Sequence, residues 1–295
     1  MNNSYRYARV LTIAGADSGG GAGIQADLKT FAALGCYGMS AITALTAQNT
    51  VGVQGIHAVP AAFLKAQIQS VVEDIGVDAV KVGMLHAPGI VEVVTWAIDH
   101  YKLPNVVLDP VMVATSGDRL IASKTVAVLV RELFPRSCVI TPNLDEAALL
   151  LGRAIPHADA LNTAAQDLLA MGAKAVLLKG GNLAGDEVVD VLVRPDAENQ
   201  RLASPRIASR NVHGTWVHLV LGDCCLFGFR PSAGVSRGAG TQLYFECHRS
   251  GRECVDGPRS WSAQPWFCAA CASSHHQATV NHQHLTGHKT APLRG

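Results

Sequence analysis

A chain of 295 residues with 24 basic and 23 acidic side chains carries a net charge of +1, too little to set up a long-range field for nucleic acid or an anionic membrane. The length suffices for one large α/β core or two small ones, no apolar run is long enough to span a bilayer, and Met1-Asn2-Asn3-Ser4-Tyr5-Arg6-Tyr7 is too polar for a signal peptide. These bounds predict a cytoplasmic, enzyme-sized protein with neither a nucleic-acid nor a membrane partner.

The first element is an apolar run over 10–13 that reads as a buried strand. It leads into Gly15-Ala16-Asp17-Ser18-Gly19-Gly20-Gly21-Ala22-Gly23, and the apolar spacing of three and four over 24–34 then predicts a helix. Glycines in such a turn permit positive φ and close backbone approach, and the free N–H groups of a helix start favour a polar or anionic group. The spacing is neither Walker A nor a good dinucleotide fingerprint, so a tight turn that binds nothing stays open beside a ligand cradle.

From there to about residue 207, short β-branched runs alternate with helical periods. Strands are predicted over 39–46, 79–82, 106–108, 138–140 and 175–178, and helices over 61–75, 90–100, 124–133, 144–151 and 160–171. This alternation predicts an α/β fold, with a mostly parallel central sheet, helices on both faces and ligands bound beyond the carboxyl ends of the strands. Two more runs, 188–193 and 201–207, read as a hairpin-like appendage. Polar residues collect at the strand ends: Gln48 with Asn49, Lys81, Asp109 before Pro110, Asn143 with Glu146, and Lys179 before Gly180-Gly181. Each has a local reading as well. Asn143 and Glu146 have the spacing of a capping box, Asp109-Pro110 and Lys179-Gly180-Gly181 suit turns, and Met84 suits the core.

Together these motifs, with Arg210-Asn211-Val212-His213-Gly214-Thr215, closely resemble the hydroxymethylpyrimidine/phosphomethylpyrimidine kinases of thiamine biosynthesis, members of the ribokinase-like superfamily. The resemblance runs in order over about residues 8–215. It implies ATP- and Mg²⁺-dependent phosphorylation of 4-amino-5-hydroxymethyl-2-methylpyrimidine and then of its monophosphate, and a homodimer, since related kinases are commonly dimers. Carried over by position, Gly15, Asp27, Gln48 and Met84 would line the pyrimidine pocket. A carboxamide such as Gln48 offers that ring one donor and one acceptor. Asp109, Asn143, Glu146 and Lys179 would lie on the nucleotide side, with Asp109 and Glu146 holding Mg²⁺ directly or through water and Lys179 offsetting phosphate charge. His213, Gly214 and Thr215 would be what remains of an anion hole. The nearest rival within the superfamily is a pyridoxal kinase.

The family pattern then stops. It continues His-Gly-Thr as Gly-Cys-Thr-Leu-Ser-Ser-Ala, whereas Thr215 is followed by Trp216-Val217-His218-Leu219. Codons compatible with residues 216–227 regenerate Gly-Cys-Thr-Leu-Ser-Ser-Ala-Ile-Ala-Ala-Tyr-Leu when one nucleotide is dropped. Composition changes at the same place. Cys224, Cys225, Cys247, Cys254, Cys268 and Cys271 all follow it, against Cys36 and Cys138 before it, and so do Trp216, Trp261 and Trp266. The division predicted is therefore an incomplete kinase domain over 1–215 and an irregular, out-of-frame tail over 216–295, leaving a chain that is inactive as written or a non-catalytic pyrimidine-binding remnant. The rival reading of the tail is a zinc site built from Cys268 and Cys271 with His275 and His276, at spacing that matches no standard finger.

Overall fold

The computed structural model describes residues 7–113, 121–181, 183 and 185–206. Its elements are β1 (Arg9–Asp17), α1 (Gly23–Ala33), β2 (Tyr37–Gln48), β3 (Val53–Ala58), α2 (Ala61–Asp74), β4 (Ala79–Val82), α3 (Pro88–Tyr101), β5 (Val106–Leu108) and α4 (Ser123–Leu133). There follow β6 (Val139–Ile140), α5 (Leu144–Leu151), α6 (Leu161–Ala170), β7 (Val176–Leu178), β8 (Glu187–Val193) and β9 (Gln200–Pro205). Among the described residues the strands form one sheet in the order β3-β2-β1-β4-β5-β6-β7-β8-β9. The run from β2 to β7 is parallel, and β3, β8 and β9 are antiparallel to their neighbours.

Burial on both faces explains why β1 and β5 read as largely apolar runs. The period of two along each strand sorts the side chains. Leu11, Ile13, Met39, Ala41, Val80, Val82, Leu108, Ile140, Val176 and Leu178 share one core with inward residues of α2 to α6, among them Leu64, Ile68, Val94, Leu129, Leu144 and Leu168. Each such side chain removed from water contributes about 1.5–3 kcal/mol. On the other face, Val10 and Ala79 pack with Phe31 of α1, and Ala14 and Ala16 pack with Ile24. A third cluster on that side, Val107, Val139, Ala175, Leu177 and Leu192, consists of strand residues and of Ala175 just before β7.

Local chemistry sets the helix limits. Pro88 opens α3, where its missing N–H costs nothing, and Lys102 closes it in the left-handed region at φ 53°. Asn143 and Glu146 form a reciprocal capping box on α5, which ends at Gly152 with φ 66°.

The predicted elements fall where expected, with three differences. Strand β1 runs past residue 13 into the glycine-rich stretch, shifting register between Ala14 and Ala16 against β2. Strand β2 reaches Gln48. Strand β3 was not predicted: five of its six residues are exposed, so it lacks the apolar alternation of a half-buried strand, and it exists through antiparallel pairing with β2.

Candidate active site at the carboxyl edge of the sheet

Because β1, β2, β4, β5, β6 and β7 run parallel, their carboxyl ends bring Asp17, Gln48, Gly83, Asp109, Thr141 and Lys179 to one edge. The glycine-rich turn occupies the β1 end. Its N–H groups do not await an outside anion. The carboxylate of Asp17, 2% exposed, accepts from the N–H of Gly19 at 2.8 Å, of Gly21 at 3.0 Å and of Ala22 at 2.8 Å, and the Asp17 carbonyl accepts from Gly20 at 2.9 Å. For these donors the self-contained turn, one of the two readings left open, is the one seen, since the chain supplies its own carboxylate. Gly23, at φ 56°, has to be glycine, because a Cβ there would collide with the Gly15 carbonyl oxygen.

Of the residues predicted for the pyrimidine pocket, Gly15 and Met84 meet directly. A Cβ on Gly15 would lie 2.9 Å from the Met84 Cε. Gln48 stands at the end of β2, half-buried. Ser18 fixes its backbone by donating its hydroxyl to the Gln48 carbonyl at 2.7 Å and accepting the Gln48 N–H at 2.8 Å. The Thr46 hydroxyl lies 3.0 Å from the Gln48 Oε1, which aims the carboxamide.

Asp27 is placed differently. It is fully buried, accepts a hydrogen bond from the Thr12 hydroxyl, and pairs with the Lys81 Nζ at 3.1 and 3.2 Å. Burial pushes its carboxyl above the usual range, while the Lys81 ammonium and the Thr12 hydroxyl pull it back. The Lys81 Nζ that Asp27 holds lies 3.1 Å from where a Cβ on Gly83 would be, next to Met84 in the chain. Lys81 had no role assigned from sequence. The available signal was a lysine inside the four-residue strand Ala79–Val82, in which all four residues are buried.

The second group lies over β5, β6 and β7. Lys179, 1% exposed, pairs with Asp109 Oδ1 at 2.9 Å, and the Thr141 hydroxyl reaches the same oxygen at 3.1 Å. Glu146 accepts the Asn143 N–H at 2.8 Å while Asn143 Oδ1 accepts the Glu146 N–H at 2.9 Å, so both have a structural task whatever they bind. Burial pushes the Glu146 carboxyl up to about 8. Lys179 opposes this, Asp109 reinforces it, and hydrogen bonds from Asn143 and Met112 oppose it. Asp109, Asn143, Glu146 and Lys179 are therefore brought together at this edge. Asp109 pairs with the Lys179 ammonium and Glu146 lies within its electrostatic reach, two carboxyl groups to one ammonium, which suits a hard divalent cation, although no group of three ligating side chains occurs among the described residues.

His213, Gly214 and Thr215 lie outside the described residues, as do Trp216 and the cysteines and histidines of the tail. Among the described residues no helix is long and apolar enough to cross a membrane.

Comparison with known proteins bears on this edge. The phosphomethylpyrimidine kinase family matches residues 17–219. A hydroxymethylpyrimidine/phosphomethylpyrimidine kinase of Escherichia coli is 50% identical over 224 residues, covering 75% of this chain and 82% of its own length. The chain spans 42% of the length of a thiamine biosynthesis bifunctional protein of Geobacter sulfurreducens, also 50% identical. A phosphomethylpyrimidine kinase structure from Clostridium difficile superposes with TM-score 0.68 at 36% identity, over 83% of this chain and 99% of that one. The ADP complex of Bacillus subtilis pyridoxal kinase does so with TM-score 0.74 at 32% identity, over 87% and 96%.

Proposed function

The chain belongs to the phosphomethylpyrimidine kinase family, and from that premise we propose that its sheet edge is built to bind 4-amino-5-hydroxymethyl-2-methylpyrimidine and ATP for phosphoryl transfer in thiamine biosynthesis. The observation that carries the reading is the buried Asp109–Lys179 pair with Glu146 beside it, set across the edge from Gly15, Gln48 and Met84. In this reading the Gln48 carboxamide orients the pyrimidine ring, and Met84 packs on it. Lys179 offsets phosphate charge. Asp109 and Glu146 would hold Mg²⁺, directly or through water, and the ion would neutralise charge on the transferred group. Asp27 acts at one remove, holding Lys81 in place through their buried ion pair.

The last part of the machinery falls on His213, Gly214 and Thr215, and there the reading departs from an ordinary kinase. An anion hole needs backbone N–H groups close to the phosphoryl oxygens. Trp216 stands where the family has glycine, and Val217, where it has cysteine, can neither give nor take a proton. The match to the family ends at residue 219, close to the same point. The kinase domain is thus read as 1–215 and the remainder as out of frame, with binding retained and transfer lost.

Calorimetry with the pyrimidine, together with a coupled assay for ADP, tests this. Binding with turnover at least about a thousandfold below that of an intact relative is expected, since losing even one oxyanion donor costs 10²–10³ in rate. Turnover comparable to the relative would refute it. Resequencing codons 210–230 from genomic DNA tests the frame directly. Pyridoxal is the alternative substrate, since a pyridoxal kinase is among the superposed structures, and the pyrimidine should bind preferentially over it in a competition titration.

A further inference from the structure

Lys179 is held by more than Asp109. Strand β8 runs antiparallel to β7, with Leu178 opposite Val191, so that the next residues along, Lys179 and Asp190, come side by side at the carboxyl edge. Asp190 is 7% exposed, and its Oδ1 accepts the Gly180 N–H at 2.8 Å. The turn at Gly180 is pressed so closely on β8 that a Cβ would collide with the Val189 carbonyl oxygen and stand 3.3 Å from the Leu161 Cδ1. On the other side, the Lys179 N–H donates to the Pro142 carbonyl at 3.0 Å, tying the turn to the segment that carries Asn143.

A carboxylate is a costly group to place in a strand whose neighbours Val189, Val191, Leu192 and Val193 are all buried. An apolar side chain there would leave the Gly180 N–H unmet, but an amide of the same reach could meet it at lower cost. Burial pushes the Asp190 carboxyl up to about 6, against the pull of the Gly180 N–H and of the Lys179 ammonium. A group kept under such tension beside the one lysine of the nucleotide side calls for a task beyond filling space.

We propose that Asp190 is a positioning residue for nucleotide, fixing the Lys179-Gly180 turn through the Gly180 N–H so that the Lys179 ammonium is presented to the phosphates. The inference rests on the nucleotide-side reading of Lys179 given above. Asp190 touches no substrate in this scheme and acts through the turn.

The test measures affinity for Mg·ADP and, separately, for the pyrimidine, on the full chain and on Asp190→Ala and Asp190→Asn. Asp190→Asn keeps an oxygen for the Gly180 N–H and should bind Mg·ADP within about twofold of the unaltered chain. Asp190→Ala leaves that donor unmet and should bind it about tenfold more weakly, with pyrimidine affinity unchanged, because Gln48 lies across the sheet. If the alanine variant does not fold, Asp190→Ser, whose oxygen falls short of the Gly180 N–H, takes its place with the same expectation. A purely structural role would lower stability and leave both affinities of the folded protein alone, and that result would overturn the proposal. So would equal weakening by asparagine and alanine, which would mean that charge rather than turn geometry matters. If the unaltered chain does not bind Mg·ADP at all, the nucleotide-side reading itself fails and the proposal falls with it, a result distinct from normal binding that ignores residue 190.

Discussion

Replacing Glu146 by glutamine should change the pH dependence of stability more than the stability itself. Glutamine can still accept the Asn143 N–H and so preserve the capping box of α5. What it removes is a proton site that the folded chain holds up to about pH 8 and that an unfolded chain releases near 4.5. With the folded value raised, the folded state binds the extra proton, so the stabilisation is complete below the unfolded value and is lost as pH rises through the folded one. Between pH 5.5 and 8 about 2.5 units of that window are crossed, or about 3 kcal/mol at about 1.4 kcal/mol per unit. Urea unfolding followed by far-ultraviolet circular dichroism at pH 5.5 and 8.5 should show the unaltered chain losing about 3 kcal/mol more than Glu146→Gln over that interval. Asp190 titrates in both proteins and cancels from the difference. Parallel pH profiles for the two would refute the buried, protonated carboxyl.

Lys81→Met should cost about 3–5 kcal/mol by leaving Asp27 charged and unpaired in the core, and adding Asp27→Leu should recover much of it; chemical denaturation of the single and double variants measures both. Asp17→Ala strands three N–H groups of the glycine-rich turn and should cost about 2–4 kcal/mol, with a loss below about 1 kcal/mol showing that water replaces the carboxylate. Gly23→Ala and Gly35→Ala compare two glycines of positive φ, 56° and 71°. Open space at Gly35 limits the cost to about 1 kcal/mol, while the collision with the Gly15 carbonyl at Gly23 should raise it to about 3 kcal/mol or more, read as separate shifts in melting temperature.

The sheet was legible because its strands announce themselves locally. Apolar runs at β1, β4 and β5 and helical periods between them carry the fold class without tertiary information. The capping box at Asn143 and Glu146 was equally legible, since its partners stand three residues apart. Partnerships across the sheet were not. Lys81 reaches Asp27 over 54 residues and Lys179 reaches Asp109 over 70, and only the parallel register brings them together. Asp17 illustrates a different difficulty. Nothing in a run of glycines tells whether their N–H groups close on a guest or on the residue just before them, because that depends on which way one carboxylate turns. Strand β3 escaped notice for want of burial, its pairing with β2 being a matter of backbone alone.

With one exception, every hydrogen-bonded neighbour in the sheet order is also the neighbouring strand in sequence. Only the junction of β1 with β4 reaches across intervening strands. A chain emerging from the ribosome can therefore extend this sheet outward one strand at a time, from β4 through β9, each new strand joining an edge already in place. All the described strands have been synthesised by Pro205, before the codon for residue 216 is read. A slip of reading frame at that codon would thus leave the sequence of every described strand unchanged. What such a slip would alter is the ending attached to an intact set of strands.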